Sequence, residues 1–413
     1  MIGRRSVLAA ALSAPFVARA QAAQRVVVVG GGFAGATCAR ALRAGQPELD
    51  VTLVEAGPDY LACPFSNEVV ADMRDLEAQH FTYERVAASV RMVRGVAASV
   101  DAGARRVTLQ DGSALPYDRL VLAPGIDFRF DALPGYTEAA IERMPHAWKA
   151  GPQTLLLRDQ LRAMPDGGTV VMAVPANPYR CPPGPYERAS LIAYYLKAQK
   201  PRSKLIVLDA KDVFSKQKLF QQAWAQLYPN LQWVSLSDGG KVTGVDPAAM
   251  TVQTDFETYK AAVANVIPPQ RAGQVARAAD VADRSGWCPV DPVTFESKLV
   301  PGVHVIGDAA IMGAMPKSAF AANAQAKVCA TAVLALLAGQ KPEEPRLINT
   351  CYSLVAPEYG ISVAGVYKPQ GGQLADIEGA GGTSPLDAAP DFRAQEAQYA
   401  DAWYQTITRQ VFG

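Results

Sequence analysis

The sequence predicts an α/β protein built from two domains of parallel strands and helices, followed by a third, C-terminal region. The chain has 413 residues, enough for two or three domains of about 150 residues each, and 49% of them are hydrophobic. A glycine-rich turn stands between an apolar strand and a helix near the N-terminus, and a second strand–helix–strand unit begins at residue 168. These three observations exclude a disordered chain and a small scaffold.

The N-terminus has the layout of an export signal. Arg4 and Arg5 precede an apolar run over residues 6–17, and small-residue cleavage sites follow at Ala20 and Ala22. Twin arginines are typical of the route that exports folded proteins. The run is shorter than the roughly 20 residues that span a bilayer. We therefore expect a signal peptide at residues 1–22, no integral membrane segment after it, and a periplasmic location.

Charge and composition exclude several function classes. Lys and Arg number 40 against 39 Asp and Glu, a net charge of +1, so we expect no nucleic-acid partner. The three histidines and six cysteines contain no CxxC pair and no cluster with metal-ligand spacing, so neither a metal site nor a haem site is predicted. A redox centre in this chain would then be a flavin, a nicotinamide or a disulfide.

The glycine-rich turn is the strongest local signal. Residues 25–29 are predicted to form a buried strand, and a helix follows the glycines Gly30, Gly32 and Gly35 in GxGxxG spacing. The first glycine allows a tight turn, the second lets the backbone approach a pyrophosphate, and the third allows the helix to pack closely on the strand. Glu55 ends the next strand about 20 residues later, where it can bind a ribose hydroxyl.

Two later segments favour FAD over NAD as the dinucleotide. Residues 120–125 form a strand and turn that resemble the exit from the FAD domain of two-domain flavoproteins. The strand over residues 303–308 delivers Asp308 at its C-terminal end, where the carboxylate can accept a ribityl hydroxyl. A long helix predicted over residues 316–337 points its positive N-terminal end toward the flavin ring. The predicted Rossmann-like FAD-binding domain consists of residues 24–141 and 270–341.

Residues 142–269 predict a second Rossmann-like domain that lacks a phosphate cradle. Strands are predicted over residues 168–174 and 204–209, with a helix over residues 188–199 between them. Where a nicotinamide domain carries glycines, this chain has a proline-rich loop that includes Cys181. Prolines lack the N–H groups that bind a pyrophosphate. We expect this NAD-like domain not to bind NAD(P)H.

Four segments resemble the flavoprotein subunit of flavocytochrome c sulfide dehydrogenase: residues 61–68, 177–187, 307–318 and 349–354. The resemblance extends from about residue 24 to the C-terminus. It implies oxidation of sulfide to sulfur or polysulfide, with electrons passed from FAD to a c-type cytochrome subunit that carries one or two haems. It also implies that residues 342–413 are the C-terminal domain that forms the interface with the cytochrome.

The resemblance implies roles for individual residues. Cys63 would carry FAD through a thioether, and Cys181 and Cys351 would form a redox-active disulfide beside the flavin. Glu187, shortly after Cys181, could move protons for bound sulfide or for a cysteine thiol. Cys288 remains a rival partner for Cys181, because sequence alone does not define disulfide connectivity.

The remaining cysteines and one tryptophan have simpler interpretations. Cys38 and Cys329, both on predicted helices, are interpreted as small buried hydrophobic residues. Trp403 is interpreted as an anchor of the last helix rather than as a flavin contact. None of these three residues is predicted to be part of the site.

Three alternative functions stay open. A sulfide:quinone oxidoreductase shares the two domains and the cysteine chemistry, but it would bind a membrane, and the mixed tail at residues 395–413 supports that weakly. An NADH-dependent disulfide reductase is opposed by the proline-rich loop. A non-catalytic flavin-bearing electron-relay subunit is opposed by three cysteines in loops predicted to face the flavin.

Overall fold

The computed structural model describes residues 23–413, so the predicted signal peptide at residues 1–22 lies outside the described residues. These residues form two parallel sheets covered by helices and a C-terminal antiparallel sheet. The α/β fold class predicted from the sequence is therefore confirmed.

The first part of the chain builds most of a five-stranded parallel sheet. Its inner strands are nearly continuous runs of buried apolar residues, as expected where helices or other layers cover both faces. The elements are β1 (Arg25–Val29), α1 (Phe33–Gly45), β2 (Asp50–Glu55), β3 (Asp59–Leu61), α2 (Ser66–Val70), β4 (His80–Thr82), α3 (Glu84–Ala87), β5 (Arg91–Arg94), β6 (Ala97–Asp101), β7 (Arg106–Leu109), β8 (Ala114–Pro116), β9 (Arg119–Leu122) and β10 (Ile126–Phe128), with short 3-10 turns at Leu76–Gln79, Phe130–Ala132 and Glu138–Glu142.

The central part forms a four-stranded parallel sheet in the order β13-β12-β11-β17, flanked by a three-stranded antiparallel sheet. Its elements are α4 (Pro152–Ala163), β11 (Thr169–Val174), α5 (Gly184–Gln199), β12 (Lys204–Asp209), α6 (Gln217–Leu227), β13 (Leu231–Val234), β14 (Val242–Asp246), β15 (Thr251–Thr254), β16 (Thr258–Lys260) and β17 (Val263–Val266). Helix α5 begins at Gly184, ahead of the predicted start at residue 188. Proline is tolerated in a first turn, where its missing N–H has no acceptor to bind, so Pro185 is part of the helix.

The chain then returns to the first sheet and completes it. Strand β20 pairs in parallel with β9, which gives the order β20-β9-β1-β2-β5. The elements are β18 (Gln270–Ala272), α7 (Gln274–Ala278), β19 (Cys288–Pro289), β20 (Val303–Val305), a 3-10 turn at Gly307–Ala309, β21 (Ala310–Ile311) and α8 (Ala319–Leu337). Ser318 caps α8, because its hydroxyl accepts a hydrogen bond from the Ala321 N–H at 3.0 Å.

Helix α8 is, among residues 23–413, the one helix long and apolar enough to cross a membrane by length and composition. Half of its apolar stretch is buried inside the protein. Its polar side chains also bind the first domain: the Asn323 amide donates to the Thr37 hydroxyl at 2.9 Å, and the Gln325 side-chain oxygen accepts from the Gly307 N–H at 2.8 Å. Such contacts are typical of a core helix, and the expected absence of a membrane-spanning segment stays a prediction.

The C-terminal part is an antiparallel sheet backed by a long helix. Strands β22 and β23 pair along most of their length, with Cys351 opposite Val363. Helix α9 packs on β23 and reaches back to α1. The elements are β22 (Leu347–Ala356), β23 (Tyr359–Gln370), β24 (Gln373–Asp376), β25 (Gly382–Thr383) and α9 (Pro390–Val411).

Candidate functional site

The glycine-rich turn between β1 and α1 forms the first wall of the site. Gly30 has a positive φ of 101°, which favours glycine, and its N–H donates to the Val54 carbonyl at 2.8 Å. A Cβ atom added to Gly35 would lie 1.8 Å from the Gly30 carbonyl oxygen, so helix and turn are in direct contact. Gly32 is the N-cap of α1 and offers no side-chain cap, which leaves first-turn N–H groups available to an anion.

Glu55 lies beside this turn at the end of β2. Its carboxylate oxygens accept hydrogen bonds from the N–H groups of Gly31 at 2.5 Å and Gly57 at 2.8 Å. Tyr83 supports the same turn, because its hydroxyl donates to the Gly31 carbonyl at 3.2 Å. Glu55 therefore occupies the strand-end position at which this type of domain binds a ribose hydroxyl.

A cleft of about 780 Å³ extends from the turn across the two other parts of the chain. It lies at the C-terminal ends of the parallel strands, where open α/β sheets bind ligands. Every residue that the sequence analysis assigned to the site, except Gly35, lines this cleft: Gly30, Gly32, Glu55, Cys63, Cys181, Glu187, Asp308 and Cys351. Gly35 lies one layer behind, inside α1.

Asp308 presents an unused acceptor to the cleft. The carboxylate follows β20, its Oδ1 atom is buried, and that oxygen has no hydrogen-bond partner in the described part of the chain. Its Oδ2 atom lies 4.0 Å from a guanidinium nitrogen of Arg180. Burial raises the pKa of Asp308, although the positive charges of Arg180 and Lys317 oppose the rise. A buried acceptor without a donor indicates that a ligand hydroxyl belongs there.

Cys63 stands in a short loop that a single buried amide holds in place. The Gln79 side-chain nitrogen donates to the Ala62 carbonyl at 2.8 Å, to the Ser66 hydroxyl at 3.3 Å, and to the Pro64 carbonyl. Gln79 is fully buried. The Cys63 thiol is partly exposed and lines the cleft, which leaves it accessible to a ligand.

Cys181 and Cys351 come from different parts of the chain and both line the cleft. Cys181 has a positive φ of 59°, and its N–H donates to the Lys317 carbonyl at 2.8 Å. Cys351 lies on β22, where the Asn349 amide donates to its sulfur at 3.3 Å. Burial raises the pKa of the Cys181 thiol, and the neighbouring Cys351 and Glu187 raise it further. Both cysteines are free thiols in the structure, so the disulfide between them stays a prediction.

Glu187 connects these two cysteine-bearing segments. It stands in the first turn of α5, and its Oε1 atom accepts a hydrogen bond from the Leu354 N–H on β22 at 2.9 Å. Its Oε2 atom accepts from the Asn67 amide, also at 2.9 Å. Burial raises the pKa of Glu187, so the carboxyl group holds a proton more readily than an exposed glutamate does.

The other three cysteines lie outside the cleft. Cys288 is fully buried on β19, and burial raises the pKa of its thiol to about 12. Cys38 and Cys329 are fully buried on α1 and α8, which pack against each other. Cys288 therefore does not share the wall on which Cys181 and Cys351 stand.

Aromatic residues pack beside the carboxyl end of β12 in the central domain, the edge at which sheets of this type bind a dinucleotide. Tyr186 stacks on Phe214 with ring centroids 3.6 Å apart, and its hydroxyl donates to Asp209 Oδ2 at 2.7 Å. Asp209 ends β12 and is fully buried. The same carboxylate also accepts from Trp233 at 3.1 Å and from Lys211 at 2.6 Å. The strand-end acid is thus saturated by protein donors and is not available to a ribose.

Some residues of the site were not found from the sequence. Trp403 stacks with Phe320, with ring centroids 6.3 Å apart, as expected of an anchor of the last helix, and it also lines the cleft. Arg180 and Lys216 lie next to the cysteines, although no motif or periodicity marks them. The position of Arg180 directly before Cys181 was the one available signal.

Comparisons with known proteins agree with this arrangement. Residues 24–151 match the pyridine nucleotide-disulphide oxidoreductase family. Residues 154–268 match the central region of the sulfide dehydrogenase (flavocytochrome c) flavoprotein chain, and residues 343–412 match the flavin-binding region described for flavocytochrome c sulphide dehydrogenase. The fold and the site define a flavoprotein oxidoreductase with two dinucleotide-binding-type domains.

Individual relatives narrow this class. A sulfide dehydrogenase (flavocytochrome c) flavoprotein chain from Chlorobaculum thiosulfatiphilum is 56% identical over 46 residues, which are 11% of this chain and 96% of that sequence. The chain belongs to the family of flavocytochrome c sulfide dehydrogenase flavoprotein chains. The sulfide-quinone reductase of Aquifex aeolicus is 30% identical over 187 residues, which cover 44% of this chain and only 42% of that protein.

Solved structures show the same fold. The sulfide:quinone oxidoreductase from Aquifex aeolicus superposes with a TM-score of 0.74 at 17% identity, covering 94% of this chain and 92% of that one. Putidaredoxin reductase, solved in its covalent complex with putidaredoxin, has a TM-score of 0.65 at 18% identity, covering 91% of this chain and 93% of that one.

The residues present in the cleft fit FAD. A Cβ atom at Gly30 or Gly35 would collide with the backbone of Ala123 or of Gly30, so these glycines allow the tight turn and the close packing of α1 on β1 that a dinucleotide cradle requires. The unpaired Oδ1 atom of Asp308 lies where a ribityl hydroxyl could donate to it. The cleft is also long enough to reach Cys63 and the two other site cysteines from the turn.

We predict that NADH neither binds to this protein nor reduces its flavin rapidly, because Tyr186, Phe214 and Asp209 leave no room or free acceptor in the central domain. Anaerobic mixing with NADH should leave the oxidised flavin spectrum unchanged over about a second, the slow end of ordinary turnover times. Calorimetric titration with NAD+ should give no heat of binding. Bleaching on the turnover time scale would contradict the interpretation of this region as a filled site.

Proposed function

We propose that this chain oxidises sulfide through the Cys181–Cys351 pair, with FAD held by Cys63, and that its electrons pass to a c-type cytochrome. One observation carries the proposal. Two cysteines from separate parts of the chain and a glutamate with a raised pKa line the same cleft as the dinucleotide turn. A pair of cysteines that forms a disulfide can accept two electrons, and a sulfur nucleophile such as hydrosulfide reacts with a disulfide by thiol–disulfide exchange.

The cofactor would be held along the length of the cleft. The N–H groups at the start of α1 would bind its pyrophosphate, Glu55 its adenosine ribose and Asp308 its ribityl chain. A thioether to Cys63 would prevent its loss. When bound, FAD accepts an electron pair and can release the electrons one at a time, which matches the single-electron capacity of a haem.

The cysteine pair would perform the first chemical step. Hydrosulfide forms a new S–S bond with one sulfur of the oxidised pair, the Cys181–Cys351 bond breaks, and its electron pair leaves on the other sulfur as a thiolate. One cysteine is then a persulfide and the other a thiolate, so no external oxidant is consumed in this step. A second sulfide would bond to the outer sulfur of the persulfide and break its bond to the cysteine, so the sulfur leaves as polysulfide, from which elemental sulfur can form. Both cysteines are then reduced, and re-forming their disulfide requires a two-electron oxidant, which is the chemistry that FAD supplies when bound.

Glu187 is positioned to move the proton of this reaction. The raised pKa of its carboxyl group brings proton uptake and release closer to neutral pH. Its hydrogen bond from Leu354 holds it against β22, which carries Cys351, and its hydrogen bond from Asn67 holds it against α2, which follows the Cys63 loop. We propose it as the group that takes the proton from hydrogen sulfide or from the persulfide.

The acceptor and location extend the proposal. The expected twin-arginine signal at residues 1–22 favours a periplasmic protein. The name of the family to which the chain belongs includes a flavocytochrome c, which favours a cytochrome as the electron acceptor. Residues 342–413, which form β22 to β25 and α9, would provide the cytochrome interface. A membrane quinone is the second candidate, favoured by the similarity to sulfide-quinone reductase in sequence and in fold.

The first test uses the Cys181→Ala variant, which removes one sulfur of the pair. Sulfide should bleach the flavin of the wild-type protein anaerobically. In the variant the rate of flavin bleaching by sulfide should fall by at least about a hundredfold, because the remaining cysteine cannot form the disulfide that sulfide attacks. Cys288→Ala, which removes a buried thiol outside the cleft, is the control and should bleach normally. Bleaching at the wild-type rate in Cys181→Ala would end the cysteine-pair mechanism, and no bleaching in the wild type would favour an electron-relay subunit.

A second test concerns the attachment of FAD. Acid precipitation of the wild-type protein should leave yellow colour in the pellet, whereas Cys63→Ser should release the flavin into the supernatant. Mass spectrometry of the pellet should then find the flavin mass on the peptide that contains Cys63. Flavin released equally from the wild type and the variant would refute the thioether.

A third test distinguishes the two acceptors. With sulfide as donor, the purified chain should reduce a c-type cytochrome rapidly and a soluble quinone analogue negligibly. The near-zero net charge of the chain predicts weak electrostatic steering, so the rate with cytochrome should change little with moderate salt. If the chain reduced the quinone analogue as fast as the cytochrome and also bound to liposomes, a quinone would replace the cytochrome as the proposed electron acceptor.

A further inference from the structure

Lys216 is a buried cation at the junction of the central domain and the C-terminal sheet. It is the N-cap residue of α6, has a positive φ of 63°, and is only 7% exposed. Its ammonium group donates to the Cys351 carbonyl at 3.0 Å, to the Ser353 hydroxyl at 2.7 Å and to the Ile361 carbonyl at 3.3 Å. A side chain of the central domain thus holds both paired strands of the C-terminal sheet beside Cys351.

All three acceptors of Lys216 are neutral. Among residues 23–413, no carboxylate lies within ion-pair distance of its ammonium group. Burial lowers the pKa of Lys216 to about 8, while negative charge on Cys351, Glu187 or Cys181 would favour the ammonium form. Because a buried charge is costly without a partner, a cation kept here indicates that an anion forms next to it.

Lys211 shows how the same domain handles a buried lysine that has a partner. It is 8% exposed, much as Lys216 is, but its ammonium group lies 2.6 Å from a carboxylate oxygen of Asp209. Its remaining hydrogen bond goes to the Pro175 carbonyl at 2.8 Å. The two lysines therefore differ in one respect: Lys211 has a carboxylate in direct contact, whereas the direct hydrogen-bond partners of Lys216, beside Cys351, are all neutral.

We propose that Lys216 is a positioning residue that holds Cys351 against the Cys181 loop and supplies the positive charge for the thiolate that forms when the cysteine pair opens. This inference rests on the proposed cysteine-pair function. When hydrosulfide bonds to one sulfur and the Cys181–Cys351 bond breaks, the departing electron pair stays on the other sulfur, and either sulfur then lies near the Lys216 ammonium group. The lysine keeps its proton in this step and stabilises the product by charge.

Other titratable groups near the two cysteines and Lys216 also influence how readily the thiolates form. Glu187 on α5 opposes a thiolate, and Arg180, directly before Cys181, favours it. Arg188 on α5 and Tyr179 also interact with Cys181, and Tyr367 on β23 interacts with Cys351. Glu396 on α9 interacts with Lys216 itself. All of them remain in place when Lys216 alone is changed.

Thiol labelling of the reduced whole protein tests the proposal without sulfide. Iodoacetamide is applied between pH 6 and 10, and labelling of the Cys181 and Cys351 peptides is followed by mass spectrometry. Lys216→Met should slow labelling at pH 8 by about fivefold to tenfold, since each pKa unit is a tenfold change in thiolate fraction. Lys216→Arg, which keeps the charge, should restore most of the rate. Lys211→Met, the matched control, should leave the labelling of both peptides unchanged.

The outcomes separate this inference from the proposed function. An unchanged labelling profile in folded Lys216→Met would overturn it. If that variant does not fold, Lys216→Gln, which retains an N–H donor for the Cys351 carbonyl without the charge, replaces it, and the same criterion applies. If labelling is slower in Lys216→Met but sulfide does not bleach the flavin of the wild-type protein, the role of Lys216 is retained and sulfide is rejected as the substrate.

Discussion

The site depends on one contact between domains, the hydrogen bond that Glu187 on α5 accepts from the Leu354 N–H on β22 at 2.9 Å. Cys181 stands three residues before the start of α5, and Cys351 lies on the same strand as Leu354, so this bond and its register decide whether the two sulfurs face each other. A shift of β22 by one residue would turn Cys351 to the opposite face of the sheet. Lys216 holds the same strand from a second point, through the Cys351 carbonyl. The central domain thus binds the strand through one carboxyl group and one amino group.

The two α/β domains share a topology but differ in what their strand ends do. In the first domain the glycine turn stays open, Glu55 lies at its rim, and Asp308 keeps an unused oxygen. In the central domain the equivalent place is filled by the stack of Tyr186 on Phe214. The loop between β11 and α5 carries Cys181 in a left-handed backbone conformation. This loop of the central domain forms one wall of the cleft that begins at the glycine turn of the first domain.

Local signals were enough to predict the parts of the site that follow directly from a strand or a turn. The turn from β1 to α1, Glu55 at the end of β2 and Asp308 after β20 all depend on short-range patterns, and each lies where those patterns indicated. The burial of Lys216 and the place of Trp403 depend on how the C-terminal domain packs on the others, which no periodicity encodes. The early start of α5 was missed for a different reason, because prolines were interpreted as loop residues although a first turn accepts them.

The central claim is that Cys181 and Cys351 form the working pair. Its most direct test is peptide mapping of the oxidised protein, digested without reductant before and after anaerobic addition of one equivalent of sulfide. We expect a peptide linked between Cys181 and Cys351 before sulfide, its loss afterwards, and a free Cys288 thiol in both samples. A link between Cys181 and Cys288 would contradict the account. So would two free thiols at Cys181 and Cys351 before sulfide is added, in a protein whose flavin is still reduced by sulfide.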